Sequence, residues 1–127
     1  MTYKPDGYTS VAPYLIVDGA QATIDLLVKV FDAEPLRIIP QENGKLAHGE
    51  VRIDDTVLMF CDAIDGWPAV PAHVHIYVED VDATYSRAIA AGAEAVQEPV
   101  KKDDADKRGG FRDAGGTTWW IGQQIDS

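Results

Sequence analysis

Two short stretches of this chain concentrate the side chains able to do chemistry. In AHVHIYVED, Ala72 to Asp80, His73 and His75 stand two residues apart, and in HGE His48 precedes Glu50 by the same spacing. A spacing of two along a β-strand puts both side chains on one face, so His73, His75 and Tyr77 share one side while Val74, Ile76 and Val78 share the other. If KLAHGEVRIDDTVLMFCD folds back at Asp54-Asp55, Ile53 pairs with Thr56, Arg52 with Val57, Glu50 with Met59 and His48 with Cys61, and paired residues lie on a common face. Three imidazoles and a carboxylate form a donor set for Fe, Mn or Zn if they converge. Without convergence they are hydrogen-bonded residues lining a wet cavity, or direct contacts to an organic ligand. Glu50 beside a histidine has one further option, general-base catalysis, if apolar surroundings raise its pKa. Cys61 reads either as a thiol nucleophile near His48 or as a small buried hydrophobe. Neither a G-x-S-x-G elbow nor a phosphate-binding loop occurs.

These side chains are positioned by a sequence that repeats once. Setting YLIVDGAQATIDLL, from Tyr14, beneath HIYVEDVDATYSRA, from His75, aligns Val17 with Val78, Asp18 with Glu79, Ala22 with Ala83 and Thr23 with Thr84, an offset of 61. DTVLMFC, from Asp55, falls beneath GTTWWIG, from Gly116, at the same offset of 61, with Thr56 under Thr117 and Met59 under Trp120. Two copies of one module, residues 10–61 and 73–123, account for this shared register.

In the first copy SVAPYLIV reads as a strand and Asp18 as a helix cap. Ile24, Leu27, Val28 and Phe31 form the apolar stripe of an amphipathic helix that Pro35 ends. KLAHGEVRIDDTVLMFCD then reads as two strands joined by a tight turn. In the second copy HVHIYV is the strand, Asp80 caps VDATYSRAIAA and Gly92 takes the left-handed position after the helix. EAVQEPV, KRGGFRDA and TTWWIGQ supply three further strands, so the chain reads as α+β, two tandem βαβββ modules. DAIDGWPAVPA is a linker by composition, and KKDDADK a solvated charged loop.

At 127 residues with 46% hydrophobic content the chain can bury a sizeable core. A formal net charge of −10 argues against nucleic acid and anionic membrane as partners, because binding phosphates requires a basic surface. MTYKPDGYTS lacks the basic-then-apolar pattern of a signal peptide, and no apolar run approaches the roughly 18 residues that span a bilayer. With Cys61 as the lone cysteine, a reducing, cytoplasmic setting is expected.

Paired βαβββ modules, with YLIVDG before a helix in the first half and HIYVEDVDAT and GGFRDAGGTTWWI in the second, resemble the vicinal oxygen chelate superfamily of glyoxalase I, bleomycin-resistance proteins and extradiol dioxygenases. KLAHGEVRIDDTVLMF and GFRDAGGTTWWI look most like its bacterial subgroup named after a phosphonate-operon protein. The resemblance implies one domain over residues 1–127, a cup-shaped, half-open barrel of eight strands with helices outside, and a homodimer whose cavities lie between modules. In the superfamily's metalloenzymes the ligands come from the first and last strands of each module. Carried over, those places are Ala12, Met59, His73 and Trp120. Only His73 can bind a metal there, since alanine and methionine offer no hard donor and an indole N–H only donates. The resemblance therefore implies no metal at the usual place and speaks against glyoxalase I activity itself.

Within such a cup, alternation through TTWWIG sends Trp119 outward with Ile121 and Trp120 inward beside Thr118. Tyr14 and Tyr77 share the inward parity, so the cavity gains flat aromatic walls, a flexible Met59, and polar handles in His48, Glu50, His73 and His75. Such a site suits a planar or partly cationic organic molecule; the competing reading has the aromatics plugging the cup. The expected function is small-molecule binding of the bleomycin-resistance type, with no cofactor. The alternative is a lyase, isomerase or dioxygenase-like enzyme whose divalent metal sits on a displaced cluster of His48, Glu50, His73 and His75.

Overall fold

The register of the strands repeats the register of the sequence. A computed structural model describes residues 3–126. It contains β1 (Tyr14–Val17), α1 (Ala20–Phe31), β2 (Glu34–Pro40), β3 (Leu46–Ile53), β4 (Thr56–Asp62), β5 (Ala72–Tyr77), α2 (Val81–Ala90), β6 (Glu94–Lys101), β7 (Asp106–Arg112) and β8 (Thr117–Gln124). These are two βαβββ modules. The first sheet runs β1-β4-β3-β2 and the second β5-β8-β7-β6. β1 lies parallel to β4 with Tyr14 opposite Met59, and β5 parallel to β8 with His75 opposite Trp120, the same offset of 61 in both partners. The β3–β4 hairpin pairs Ile53 with Thr56, Arg52 with Val57 and Glu50 with Met59, turning through Asp54 at a φ of 52°.

Three local expectations are corrected. β1 begins only at Tyr14, so Ala12 precedes the strand. Asp18 does not cap α1: the chain enters the helix through Gly19 at a φ of 84°, without a side-chain cap from its neighbour. The acceptor comes instead from the far end of β4. Asp62 Oδ1 accepts from Gly19 N–H (2.8 Å) and Ala20 N–H (2.9 Å), and Oδ2 from Leu46 N–H (2.7 Å). Nor does Pro35 stop the helix. Asp32, at a φ of 55°, closes it by donating to Val28 O, with Ala33 N–H reaching Leu27 O, and Pro35 already lies in β2. The second module keeps its predicted cap, Asp80 accepting from Ala83 N–H, and Gly92 is left-handed as expected. It also repeats the remote cap: Gln123, at the offset position of Asp62, accepts from Val81 N–H (3.0 Å).

Alternation gives each sheet one apolar face, which packs on its own helix, and the two helices then pack on each other. Phe31 lies 6.1 Å from Phe111 and 6.3 Å from Trp119, and Arg87 Nε donates to Val30 O (3.2 Å). One hydrophobic cluster therefore spans both modules, with Ile24, Leu27 and Phe60 from the first and Val81, Phe111 and Trp119 from the second. The eight strands stay in two separate sheets and are not closed into a barrel. Among the described residues no helix is long and apolar enough to cross a membrane.

Burial pushes the Asp62 carboxyl up, but its three N–H donors and nearby Lys45 hold it below its usual 3.8. A depressed folded pKa contributes stability that is complete above the unfolded value and lost as pH falls through the folded one. Asp62→Ala is expected to cost about 2–4 kcal/mol in urea denaturation at neutral pH, from two buried donors and one partly buried donor left unpaired. The gap to wild type should narrow on acidification through the carboxylate range.

Candidate functional site

The faces of the two sheets turned away from the core carry every residue expected to line a cavity. On the first are Tyr14, His48, Glu50 and Met59; on the second are His73, His75, Tyr77 and Trp120. Within one chain the two sets lie on separate sheets. Of the cavities between the modules, one of about 1010 Å³ is lined by residues such as Phe31, Ile53, Ile76, Val78 and Arg87 and takes only Tyr77 from the expected set, and one of about 320 Å³, beside Pro13, Ile53 and Leu58, takes His75 and Tyr77.

On the first face Glu50 is 1% exposed and fully engaged. It accepts hydrogen bonds from the Tyr8 hydroxyl and from His48 Nε2 (2.6 Å). Burial alone would raise its pKa, but the bonds from Tyr8 and His48, helped by the Arg37 backbone N–H, hold it below its ordinary 4.5. The condition for Glu50 as a general base, a raised pKa, is therefore not met. His48 donates a hydrogen bond from Nε2–H to Glu50 and lies 5.9 Å from the Tyr14 ring. Partial burial and the Cys61 thiol at its hydroxyl raise the Tyr14 pKa, and Cys61 itself is buried.

On the second face a cavity of about 360 Å³ opens beside Trp120, with Gln97, Val100, Asp104, Asp106 and Arg108 around it. Trp120 Nε1–H donates to His73 Nδ1 (3.0 Å), and the two rings lie within 10° of parallel, making one broad flat surface. Glycines create the room for it. A Cβ at Gly110 would stand 2.6 Å from the Trp120 ring, and one at Gly122 2.9 Å from His75 Nε2. Beside the platform, Arg108 binds Asp104 and Asp106 (2.7 Å to the latter), Tyr77 donates to Asp106 (2.6 Å), and Arg108 Nε donates to His75 Nε2 (3.4 Å). Desolvation and the Arg108 charge lower the His75 pKa, keeping that ring neutral. Trp119 points the other way, wholly buried, with its Nε1–H on Asp113 (2.8 Å), as alternation predicts.

Residues 7–121 match the sequence pattern of the Glyoxalase/Bleomycin resistance protein/Dioxygenase superfamily. The chain belongs to this superfamily. It is 35% identical to the uncharacterized protein Mb0911c of Mycobacterium bovis, over 91% of this chain and 84% of that one. Its fold resembles TioX of Micromonospora sp. ML1, with a TM-score of 0.72 and 24% identity over 91% of this chain and 99% of TioX. It also resembles TnmS3, an antibiotic binding protein of Streptomyces sp. CB03234, with a TM-score of 0.68 and 22% identity over 91% and 97% of the two chains.

The residues at the superfamily's metal places do not fit a metal. Ala12 and Met59 supply no hard donor, Trp120 only donates, and His73 spends its Nδ1 lone pair on Trp120. The displaced cluster is not assembled within one chain either: among the described residues no three His, Cys, Asp or Glu side chains come together as a metal-binding group. Several site residues were not read from the sequence. Arg108 and Asp106 follow from the same alternation, since Gly110 pairs with Trp120 and the residues two and four before it share its face. The KKDDADK loop, read as solvated, supplies Lys102, Asp103 and Asp104 to the cavity wall. Tyr8 had no periodic signal at all.

Gly110→Ala is expected to displace the Trp120 ring, lowering stability by about 1–3 kcal/mol. Near-ultraviolet circular dichroism and thermal melts check this, and an unchanged tryptophan signal would contradict the packing described.

Proposed function

We propose that the protein is a metal-independent small-molecule-binding protein of the glyoxalase/bleomycin-resistance type, holding a planar aromatic or cationic ligand against Trp120. The observation that carries this reading is the near-parallel Trp120–His73 surface bordering a cavity with Asp104 and Asp106 on its rim. Flat rings stack on such a surface, and the ionic lining, Asp103, Asp104 and Asp106 against Lys102 and Arg108, leaves an excess of negative charge that favours a ligand bearing positive charge. A fold relative named as an antibiotic binding protein supports the class of function without naming the ligand. The phrases KLAHGEVRIDDTVLMF and GFRDAGGTTWWI support a place near the phosphonate-operon-named subgroup.

The reading includes a homodimer. Both polar faces look away from the shared core and leave aromatic side chains open, Tyr14 at 48% and Tyr77 at 63% exposure. A cavity that unites both sets of expected residues therefore needs a face from each of two chains, which is how the symmetry of a two-fold pair would close both cups at once.

A diaminoacridinium dye is expected to quench the emission of Trp120, while Trp119, fully buried, and Trp67, in the linker, respond less. Equal quenching in Trp120→Phe would refute the aromatic site. Light scattering at micromolar concentration should give the mass of two chains; a mass of one 13.8 kDa chain would remove the shared cavity.

A further inference from the structure

Strands β2, β1, β6 and β5 form the outer edges of the two sheets, and the first three are blunted. β2 carries Pro35 and Pro40 and shifts its register twice, and β6 carries Pro99 and the same irregularity. The edge of β1 is covered by the linker, where Val70 N–H donates to Ile16 O (3.0 Å). Unpaired edge groups template the addition of another strand, and proline, bulges and covering loops are the usual protection. β5 shows none of these among the described residues. Its stretch AHVHIY holds neither proline nor lysine, and it pairs with β8 without a break from Ala72 to Tyr77.

Just past the strand, Val78 N–H donates to Gly122 O (2.8 Å). The alternation of a parallel ladder therefore turns the backbone N–H and C=O of His75 and Tyr77 to the outer side. Tyr77 stands at the offset position of Ile16, whose carbonyl the linker covers, yet among the described residues no hydrogen bond reaches the Tyr77 or His75 backbone from that side. The bare edge borders the cavity of about 320 Å³, whose other wall holds Pro13, Ile53 and Leu58. That cavity shares Ile53, Asp54, Ile76 and Tyr77 with the larger one of about 1010 Å³. Free backbone groups beside apolar side chains are what an extended segment needs in order to dock: the backbone supplies affinity, and the pockets select side chains.

Charge selects the kind of segment. Asp32, Asp54, Asp55, Glu79 and Asp80 line the two cavities against Lys29 and Arg87, and Arg87 is committed to Val30 O. A second copy of a chain with a net charge of −10 brings like charge to this place, whereas a basic segment brings the opposite. We propose that the edge of β5 is a docking site for an extended, basic segment of another protein, which adds to the second sheet as a further strand. Its apolar side chains settle on Ile53 and Leu58, and its lysines or arginines meet Asp54, Asp55 and Glu79. His75 and Tyr77 give the polar face their side chains and this edge their backbone, so the docking site is separate from the aromatic site at Trp120.

The acetylated, amidated peptide KVKVKV, titrated into the full-length protein by calorimetry, tests the proposal together with amide exchange read by NMR. The peptide should bind at one equivalent per chain, and EVEVEV should not bind. Two forms of KVKVKV, methylated on the lysine or on the valine backbone nitrogens, should differ by about tenfold or more, because an added strand turns only alternate N–H groups to its neighbour. The His75 and Tyr77 amides should exchange freely in the protein alone and become protected when KVKVKV is added. Equal affinity of the two methylated forms, binding of EVEVEV as tight as that of KVKVKV, or binding without protection at His75 and Tyr77 would overturn the proposal. Amides already protected in the protein alone would assign the edge to a second copy and overturn it as well. Dye quenching at Trp120 and the mass in solution bear only on the proposed function.

Discussion

A carboxylate buried at the end of β4 decides where the first helix begins. The chain turns into α1 through a left-handed Gly19, and in that geometry the preceding side chain does not reach the first N–H groups. Asp62 reaches them from 43 residues away and holds the first residue of β3 with its other oxygen. Helix, inner strand and hairpin are thereby locked in one register. With that register set, alternation leaves Leu58 and Phe60 in the core and Met59 on the opposite face. The second module reaches the same result with a weaker amide, Gln123, backed by a local cap at Asp80.

Much of this was legible in the sequence because it depends on period and repetition. The offset of 61 is carried into the strand pairing, the hairpin turns at Asp54-Asp55 as read, and Trp119 and Trp120 part to opposite faces. Two of the failures share a cause. The cap at Asp62 and the latch of Tyr8 on Glu50 are contacts that no local pattern announces, since each joins residues over forty positions apart; the Arg108–Asp106 pair did follow alternation and was passed over. Pairing Trp120 with His73 was equally hidden, since the register sets Trp120 opposite His75 and only the side-chain geometry brings its N–H to the neighbouring histidine.

The two faces share one scaffold and differ in what fills them. On the second, glycine at 110 lets an indole lie flat and leaves a cavity at its side. On the first, the residue paired with Met59 is Glu50, and the space above it is taken by the chain's own Tyr8. Arg108 illustrates how the open face is kept ordered. Held by two carboxylates and a neutral imidazole, its charge is largely spent within the wall.

The shared core between the modules has an evolutionary corollary. Because the helices meet in the middle and alternation divides each strand cleanly, Trp120, His73, His75, Met59 and Tyr14 lie outside the hydrophobic cluster that holds the chain together. Positions on these outer faces can then drift in size and polarity with little effect on folding, and each face can drift without the other. A duplicated module arranged this way is free to let its halves diverge, one face keeping an open cavity while the other is covered by the chain's own Tyr8.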